Sequence, residues 1–358
     1  MKKQFFSMSY ENYIDLRDVK KVLIIKLRHL GDVLLSTPVF NNLKKNSISK
    51  VDAFIYEDCL DVLKNNPDID EILTYDKNIK KQSFFNRLKY EFKILRKIRK
   101  NKYDLVINLT EGDRGAIIAL LSNARYKVGF DPEKKGFFKK EKIYSHIVKN
   151  SKTTRHMAEK NLDALRRIGI FPKNEDKYLK FLVPPEAVSN IQNILSKNDF
   201  SPNDYVLIHP TTRWRFKCWD KFDLLLDLLL QQKQKIVIVG GCADYEIEMV
   251  EKIIGKHKKN PSVLNLSAQV NIDQLAALIK LSKHFYCLDS FAFHLANSLN
   301  ASVTALFGPT CDTTWGSWKN EKAKIVKSQI SCRPCSLDGC GGSKQSECMK
   351  EINLTDLL

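Results

Sequence analysis

Asp32 stands three residues after His29 in the stretch KLRHLGDVLLSTP (26–38), which directly follows the apolar run VLII (22–25). Arg28, His29, Gly31 and Asp32 therefore fall in the turn between an expected buried strand and a segment with helical apolar spacing. In an α/β protein the carboxyl end of a strand opens into a crevice, and the next helix begins with unpaired N–H groups, so such a turn handles ligands. A plain helix-capping aspartate fits the same spacing. Pro38 either marks the first turn of a helix after Thr37 or kinks one. Far downstream, Cys332, Cys335, Cys340 and Cys348 form C-x2-C-x4-C-x7-C. That spacing suits a tetrahedral structural zinc in a reducing compartment, with free thiols and disulfides as the alternatives.

The elements that must position these residues show as alternating patterns. Strand-length apolar runs occur at 22–25, 51–56, 103–109, 206–209, 235–240, 284–289 and 301–308. Helical periodicity fills 32–45, 113–122, 156–168, 219–231, 243–256, 271–282 and 291–299. The alternation predicts parallel sheets covered on both faces, an α/β fold. The polar segment 171–187, ending in Pro184-Pro185, reads as a joint. Two doubly wound, Rossmann-like domains, 1–180 and 181–358, facing a central cleft are the simplest architecture. The chain has neither G-x-G-x-x-G nor G-x-x-x-x-G-K-[ST], which disfavours a dinucleotide dehydrogenase or a P-loop enzyme.

The formal charge of +18 calls for an anionic partner. Between Lys77 and Lys102 lie eleven Lys/Arg and one acid, Glu91. Phe85, Leu88, Phe92 and Leu95 recur there at helical spacing, so the segment reads as a basic amphipathic helix. Either its apolar stripe joins the core, or the surface docks on anionic lipid. A second cluster, EKKGFFKKEK (133–142), sets aromatics among lysines. No nucleic-acid motif accompanies the charge, so no nucleic-acid partner is expected. With no apolar stretch of signal-peptide or membrane-spanning length, the expectation is a soluble cytoplasmic protein.

KLRHLGDVLLSTP, HPTTRWRFKCW (209–219) and LDSFAFHLANSL (288–299), in this order, resemble the motifs of the ADP-heptose:lipopolysaccharide heptosyltransferases, glycosyltransferase family 9. The Arg-His before Gly-Asp, the RWRFKCW string and the CRPCSLDGCGGSKQSEC tail are most similar to the branch that adds the third inner-core heptose. The resemblance implies the GT-B fold, with the acceptor on the first domain and the nucleotide-sugar on the second. It also implies an inverting transfer from ADP-heptose that requires no cofactor and no catalytic metal.

On that resemblance Asp32 is the base that takes the acceptor hydroxyl proton, held ionised by the helix amino terminus. Lys217, in TTRWRFK with one residue more than the usual family string, stabilises the leaving ADP. Thr211 and Thr212 hydrogen-bond phosphate oxygens. Asp289, Ser290 and His294 bind the donor at a helix amino end, where Ser290 and Phe291 replace the usual Thr-Gly, and Glu246 matches an acid near the adenosine. His294 and Glu246 also have ordinary readings, as a hydrogen-bonded helix histidine and a solvated glutamate. Arg28, His29, Gly31, Asp113 and Arg114 are the acceptor candidates, Gly31 letting the backbone turn closely; Arg155 or His156 can also reach the cleft. Trp214 and Trp219 read as packing residues. The expected partners are an ADP-sugar, the lipopolysaccharide inner core and the anionic inner face of the inner membrane, on which the protein would be peripheral. Another nucleotide-sugar or acceptor is the alternative within the family. A non-catalytic basic membrane- or nucleic-acid-binding protein is the alternative outside it, and would leave Asp32, Lys217 and Asp289 without a purpose.

Overall fold

The computed structural model describes residues 14–47, 49–133 and 142–357; the basic cluster at 133–142 lies almost wholly outside them. The chain divides into two units. The first runs to Thr153 and takes in Ala158–Lys177, whereas the second comprises Thr154–Met157 and the chain from Tyr178 onward. The later crossing, at Lys177/Tyr178, falls inside the polar 171–187 segment.

In the first unit the strands are β1 (Lys21–Lys26), β2 (Lys50–Tyr56), β3 (Ile72–Tyr75), β4 (Leu105–Asn108), β5 (Tyr126–Phe130) and β6 (His146–Val148). They form one parallel sheet of order β3-β2-β1-β4-β5-β6. Its helices are α1 (Leu30–Leu34), α2 (Thr37–Asn46), α3 (Leu60–Leu63), α4 (Phe84–Lys100), α5 (Asp113–Leu121) and α6 (Met157–Arg166). Val22, Leu23, Ile24 and Ile25 are completely buried, as a strand covered on both faces requires.

The second unit repeats the plan. Strands β7 (Tyr205–His209), β8 (Lys235–Ile238), β9 (Val263–Asn265), β10 (His284–Leu288), β11 (Val303–Leu306) and β12 (Ala323–Val326) form a parallel sheet of order β12-β11-β10-β7-β8-β9. Helices α7 (Pro185–Ser196), α8 (Phe222–Gln231), α9 (Asp244–Ile254), α10 (Ile272–Leu281), α11 (Phe291–Ser298), α12 (Asp312–Trp315) and α13 (Glu347–Lys350) accompany it. Counted from its own first strand, each sheet has the order 3-2-1-4-5-6. The winding direction therefore reverses between β1 and β4 in one unit and between β7 and β10 in the other, which is where doubly wound sheets open their ligand crevices.

The helix expected over 32–45 is two helices. Pro38 has no N–H to continue a helix begun at Leu30, and sits in the first turn of α2. Carbonyls freed by the break are taken up locally: Ser36 Oγ donates to Val33 O at 2.7 Å and Thr37 Oγ1 to Leu34 O at 2.7 Å. The basic helix appears as α4, capped by Ser83 Oγ, which accepts from Asn86 N. Of the two readings of that helix, the one in which the Phe85–Leu88–Phe92 stripe joins the core does not hold: Tyr90, Ile94 and Ile98 pack against the core of the first unit. Phe85, Leu88 and Phe92 face solvent instead.

Candidate active site

The first crevice is built by the segments after β1 and β4. His29, not Asp32, occupies the N-cap of α1, and its side chain makes no capping hydrogen bond. Asp32 is the third helical residue, half-buried, and its carboxylate has no hydrogen-bond or ion-pair partner among the described residues. Gly31 is an ordinary helical residue, so the close-turn role expected of it is not what the backbone shows. Arg28 and His29 are exposed beside the turn.

Lys26, the last residue of β1, is buried, and its Nζ donates to Leu109 O and to Asn161 Oδ1, each at 3.1 Å. Asn161 Nδ2 donates in turn to Leu35 O at 3.0 Å, at the end of α1. One lysine and one asparagine thus join the end of β4, α6 and the helix that carries Asp32. Burial pushes the Lys26 ammonium down to about 8, with the Asp32 carboxylate pulling it back up; Arg28, Glu111 and Lys160 are the other charges it senses.

Beyond β4, Leu27 N donates to Thr110 Oγ1 at 2.8 Å, tying the two crevice walls together. Glu111 pairs with Lys160 at 2.6 Å, and this bond holds its carboxyl below the usual range. Asp113 opens α5 and is exposed. Arg114 stacks its guanidinium over Tyr75 at 4.2 Å and lies 3.7 Å from Glu91, contacts within its own unit that occupy one face of the group.

The second crevice lies after β7 and β10. Thr211 and Thr212 are buried. Lys217 sits on a single helical turn, Arg215–Lys217. Its Nζ pairs with Asp289 Oδ2 at 2.6 Å, and the two side chains are 17% and 5% exposed. Ser290 is the N-cap of α11, but its Oγ makes no capping bond and is buried without a partner among the described residues. The same holds for Nδ1 of His294, one turn on. Burial pushes His294 down to about 4 despite the Asp289 carboxylate, so its ring is neutral at pH 7. Phe291 is half-buried at the first helical position.

Glu246 is buried in the first turn of α9. Its carboxylate lies against the backbone of Gly241, where a Cβ would approach Oε2 to 2.2 Å, so a larger residue there would have to push the Glu246 carboxylate aside. Gly241 N also donates to Thr211 Oγ1 at 3.4 Å, and Tyr245 OH to Thr212 O at 2.8 Å. The structure therefore gathers Thr211, Thr212 and Glu246 into one patch and joins Lys217 to Asp289.

Two histidines belong here, His209, which the motifs did not single out, and His156. His209 ends β7 with an unpartnered Nδ1, is pushed down by burial, and feels Glu246; its place at the last position of a central strand was the available signal. His156 belongs to the second unit, where it stacks on Trp318 with ring centres 4.6 Å apart and bonds Gly316 O through Nε2. Trp219 is a packing residue, buried with Nε1 donating to Ile352 O at 3.1 Å. Trp214 is 44% exposed under the Arg213 guanidinium, unlike the packing residue expected. A cavity of about 680 Å³ bordered by Arg215, Trp219, Asp223, Tyr245, Met249 and Lys344 contains none of the predicted donor residues.

Cys332, Cys335, Cys340 and Cys348 are free thiols, as are the other five cysteines. Cys348 is buried, which pushes its thiol up to about 11, and Cys332 and Cys340 are exposed. Among the described residues no three potential ligands converge, so the tail does not assemble the zinc set its spacing suggested.

The sequence profile of glycosyltransferase family 9 (heptosyltransferase) matches residues 91–344. Lipopolysaccharide heptosyltransferase 3 of Escherichia coli is 31% identical over 297 residues, covering 82% of this chain and 85% of that protein. The chain belongs to glycosyltransferase family 9. Among solved structures, the family 9 glycosyl transferase of Veillonella parvula superimposes with a TM-score of 0.76 at 24% identity, over 88% of this chain and 87% of that one. Heptosyltransferase WaaC of E. coli with ADP-2-deoxy-2-fluoro heptose gives 0.69 at 16% identity, over 86% and 93%. The two parallel six-stranded sheets of this glycosyltransferase are those of the GT-B fold.

Proposed function

We propose that this family 9 enzyme transfers heptose, with inversion, from ADP-L-glycero-D-manno-heptose to the lipopolysaccharide inner core, adding the third heptose. The observation that carries the reading is the 31% identity, sustained over most of both chains, with a heptosyltransferase 3. A WaaC structure holding a fluorinated ADP-heptose supports the donor.

The acceptor hydroxyl oxygen bonds to the anomeric carbon as the bond from that carbon to the diphosphate breaks. The hydroxyl proton passes to Asp32, whose carboxylate no neighbour engages. ADP leaves with the bonding electron pair, and Lys217, held by Asp289, meets the charge that develops on it. A fixed ammonium supplies the electrostatic stabilisation, so the chemistry needs no metal. Thr211 and Thr212 bind phosphate oxygens, Ser290 and neutral His294 offer hydrogen-bonding groups to the donor, and Glu246 is the acid assigned to the adenosine. Arg28, His29 and Asp113 are the residues assigned to the phosphates, carboxylates and hydroxyls of an inner core, and Arg114 takes part if its stack on Tyr75 opens. On this reading the enzyme works on the cytoplasmic face of the inner membrane; no described helix is long and apolar enough to cross one.

Incubating purified protein with ADP-heptose and defined truncated core acceptors tests the reading by product mass. One added heptose on the acceptor carrying two is expected. Transfer from another nucleotide-sugar only, or to no core acceptor, contradicts it.

A further inference from the structure

The outer face of α4 is not used by the catalytic account, and its composition is unusual for a surface helix. Phe84, Phe85, Leu88 and Phe92 are 70%, 80%, 58% and 67% exposed. At 100° per residue these four share one sector of about 100° of the helix. Lys89, Lys93, Arg96 and Lys100 fill the adjoining sector, and none of them has an ion-pair partner among the described residues. The remaining sector, with Tyr90, Ile94 and Ile98, is committed to the core of the first unit. The helix thus has three faces: one packed, one aromatic and bare, one cationic and unpaired.

Burial against the body of the protein does not explain the bare face, because a different face does that packing. Self-association through it would set the cationic stripe of one copy near that of another across a two-fold axis, a like-charge arrangement. A surface of negative headgroups over hydrocarbon matches both exposed faces at once: basic side chains meet phosphate while Phe and Leu enter the acyl boundary. We infer that α4 is a docking helix for an anionic phospholipid bilayer, lying in its surface with Phe84, Phe85, Leu88 and Phe92 inserted and Lys89, Lys93, Arg96 and Lys100 on the headgroups. This deepens the reading above by naming the element that meets the membrane, and rests on that reading only for which membrane it is.

Co-sedimentation of the full chain with vesicles tests it. Wild-type protein is expected to pellet with phosphatidylglycerol-containing vesicles, weakly with pure phosphatidylcholine, and less at high salt. The Phe85→Ser/Leu88→Ser/Phe92→Ser variant and the Lys89→Gln/Lys93→Gln/Arg96→Gln variant should each lower the partition by about tenfold or more. Both should keep wild-type turnover on a soluble, acyl-free acceptor. Phe85→Trp is expected to shift its fluorescence to the blue when phosphatidylglycerol vesicles are added. Equal binding to neutral vesicles, unchanged binding by the serine variant, or no shift at Phe85→Trp overturns the inference. So does a concentration-dependent dimer that the serine variant abolishes. Vesicle binding is read without turnover, so a failed docking result leaves the heptose-transfer reading to its own assay.

Discussion

The two crevices use the same parts differently. Each opens where a sheet of order 3-2-1-4-5-6 reverses direction, and each holds a lysine and an aspartate. After β7 and β10, Lys217 and Asp289 are bound to each other at 2.6 Å. After β1 and β4, Lys26 is instead held by Leu109 O and Asn161, while the carboxylate of Asp32 is left unengaged. A carboxylate clamped by an ammonium is a poor proton acceptor, whereas a lysine positioned by a carboxylate can meet a diphosphate without being free to swing away. The difference is what the proposed base in one unit and the proposed anion-stabilising cation in the other would require. The buried bases are also matched: Lys26 and His294 are both pushed toward the neutral form by burial, one acting on the alkaline side and the other on the acid side.

Breaking the second pair should cost both turnover and stability. Lys217→Met is expected to lower kcat by about 100- to 1000-fold and to destabilise the fold by about 3 kcal/mol, because Asp289 is left buried and unpaired. Adding Asp289→Asn should recover much of the stability, read by urea unfolding, and none of the turnover; recovered turnover would show that the cation has no part in the chemistry.

The two buried bases sharpen the comparison through pH. Folded Lys26 titrates near 8 against an ordinary value of 10.5, so the folded state binds fewer protons between those values. Stability should therefore rise by about 3 kcal/mol as pH climbs through that window, and Lys26→Met should flatten the rise. Folded His294 titrates near 4 against 6.5. Its contribution is complete above 6.5 and is lost as pH falls toward 4, again about 3 kcal/mol; His294→Leu should flatten that fall. Unfolding curves across both windows, compared with wild type, give the two slopes separately.

The smallest effect is expected at Asn161, which bridges Lys26 to the end of α1. Asn161→Ala should cost about 1–2 kcal/mol of stability and reduce kcat more than it raises KM, because it loosens the helix that carries Asp32 without removing a ligand contact. An effect on KM alone would leave the bridge without a role in aiming the base.

The central strands were readable because they are buried on both faces and stand out as apolar runs: β1, β2, β4, β7, β8, β10 and β11 lie within a few residues of the expected positions. The flanking strands β3, β5, β6, β9 and β12 were not. They carry half-buried or exposed positions, as in Ile72–Tyr75 and Ala323–Val326, which dilute the apolar signal. The 32–45 helix showed its periodicity but hid its break, since only Pro38 marks it. On α4 spacing found an apolar stripe but left open whether it joins the core, because Phe85–Leu88–Phe92 and Tyr90–Ile94–Ile98 are both spaced for a helix, and only the second does. At the site, motif order led to Asp32, Lys217 and Asp289. The ion pair, the Lys26–Asn161 bridge and the Gly241–Glu246 contact depend on side chains distant in sequence and became visible only in the fold.

Turnover of Asp32→Ala with ADP-heptose and a soluble core acceptor, alongside ADP binding by the same protein, tests the base assignment most directly. The account predicts a kcat lower by about 100- to 10,000-fold with ADP affinity unchanged. A kcat near that of wild type would contradict it.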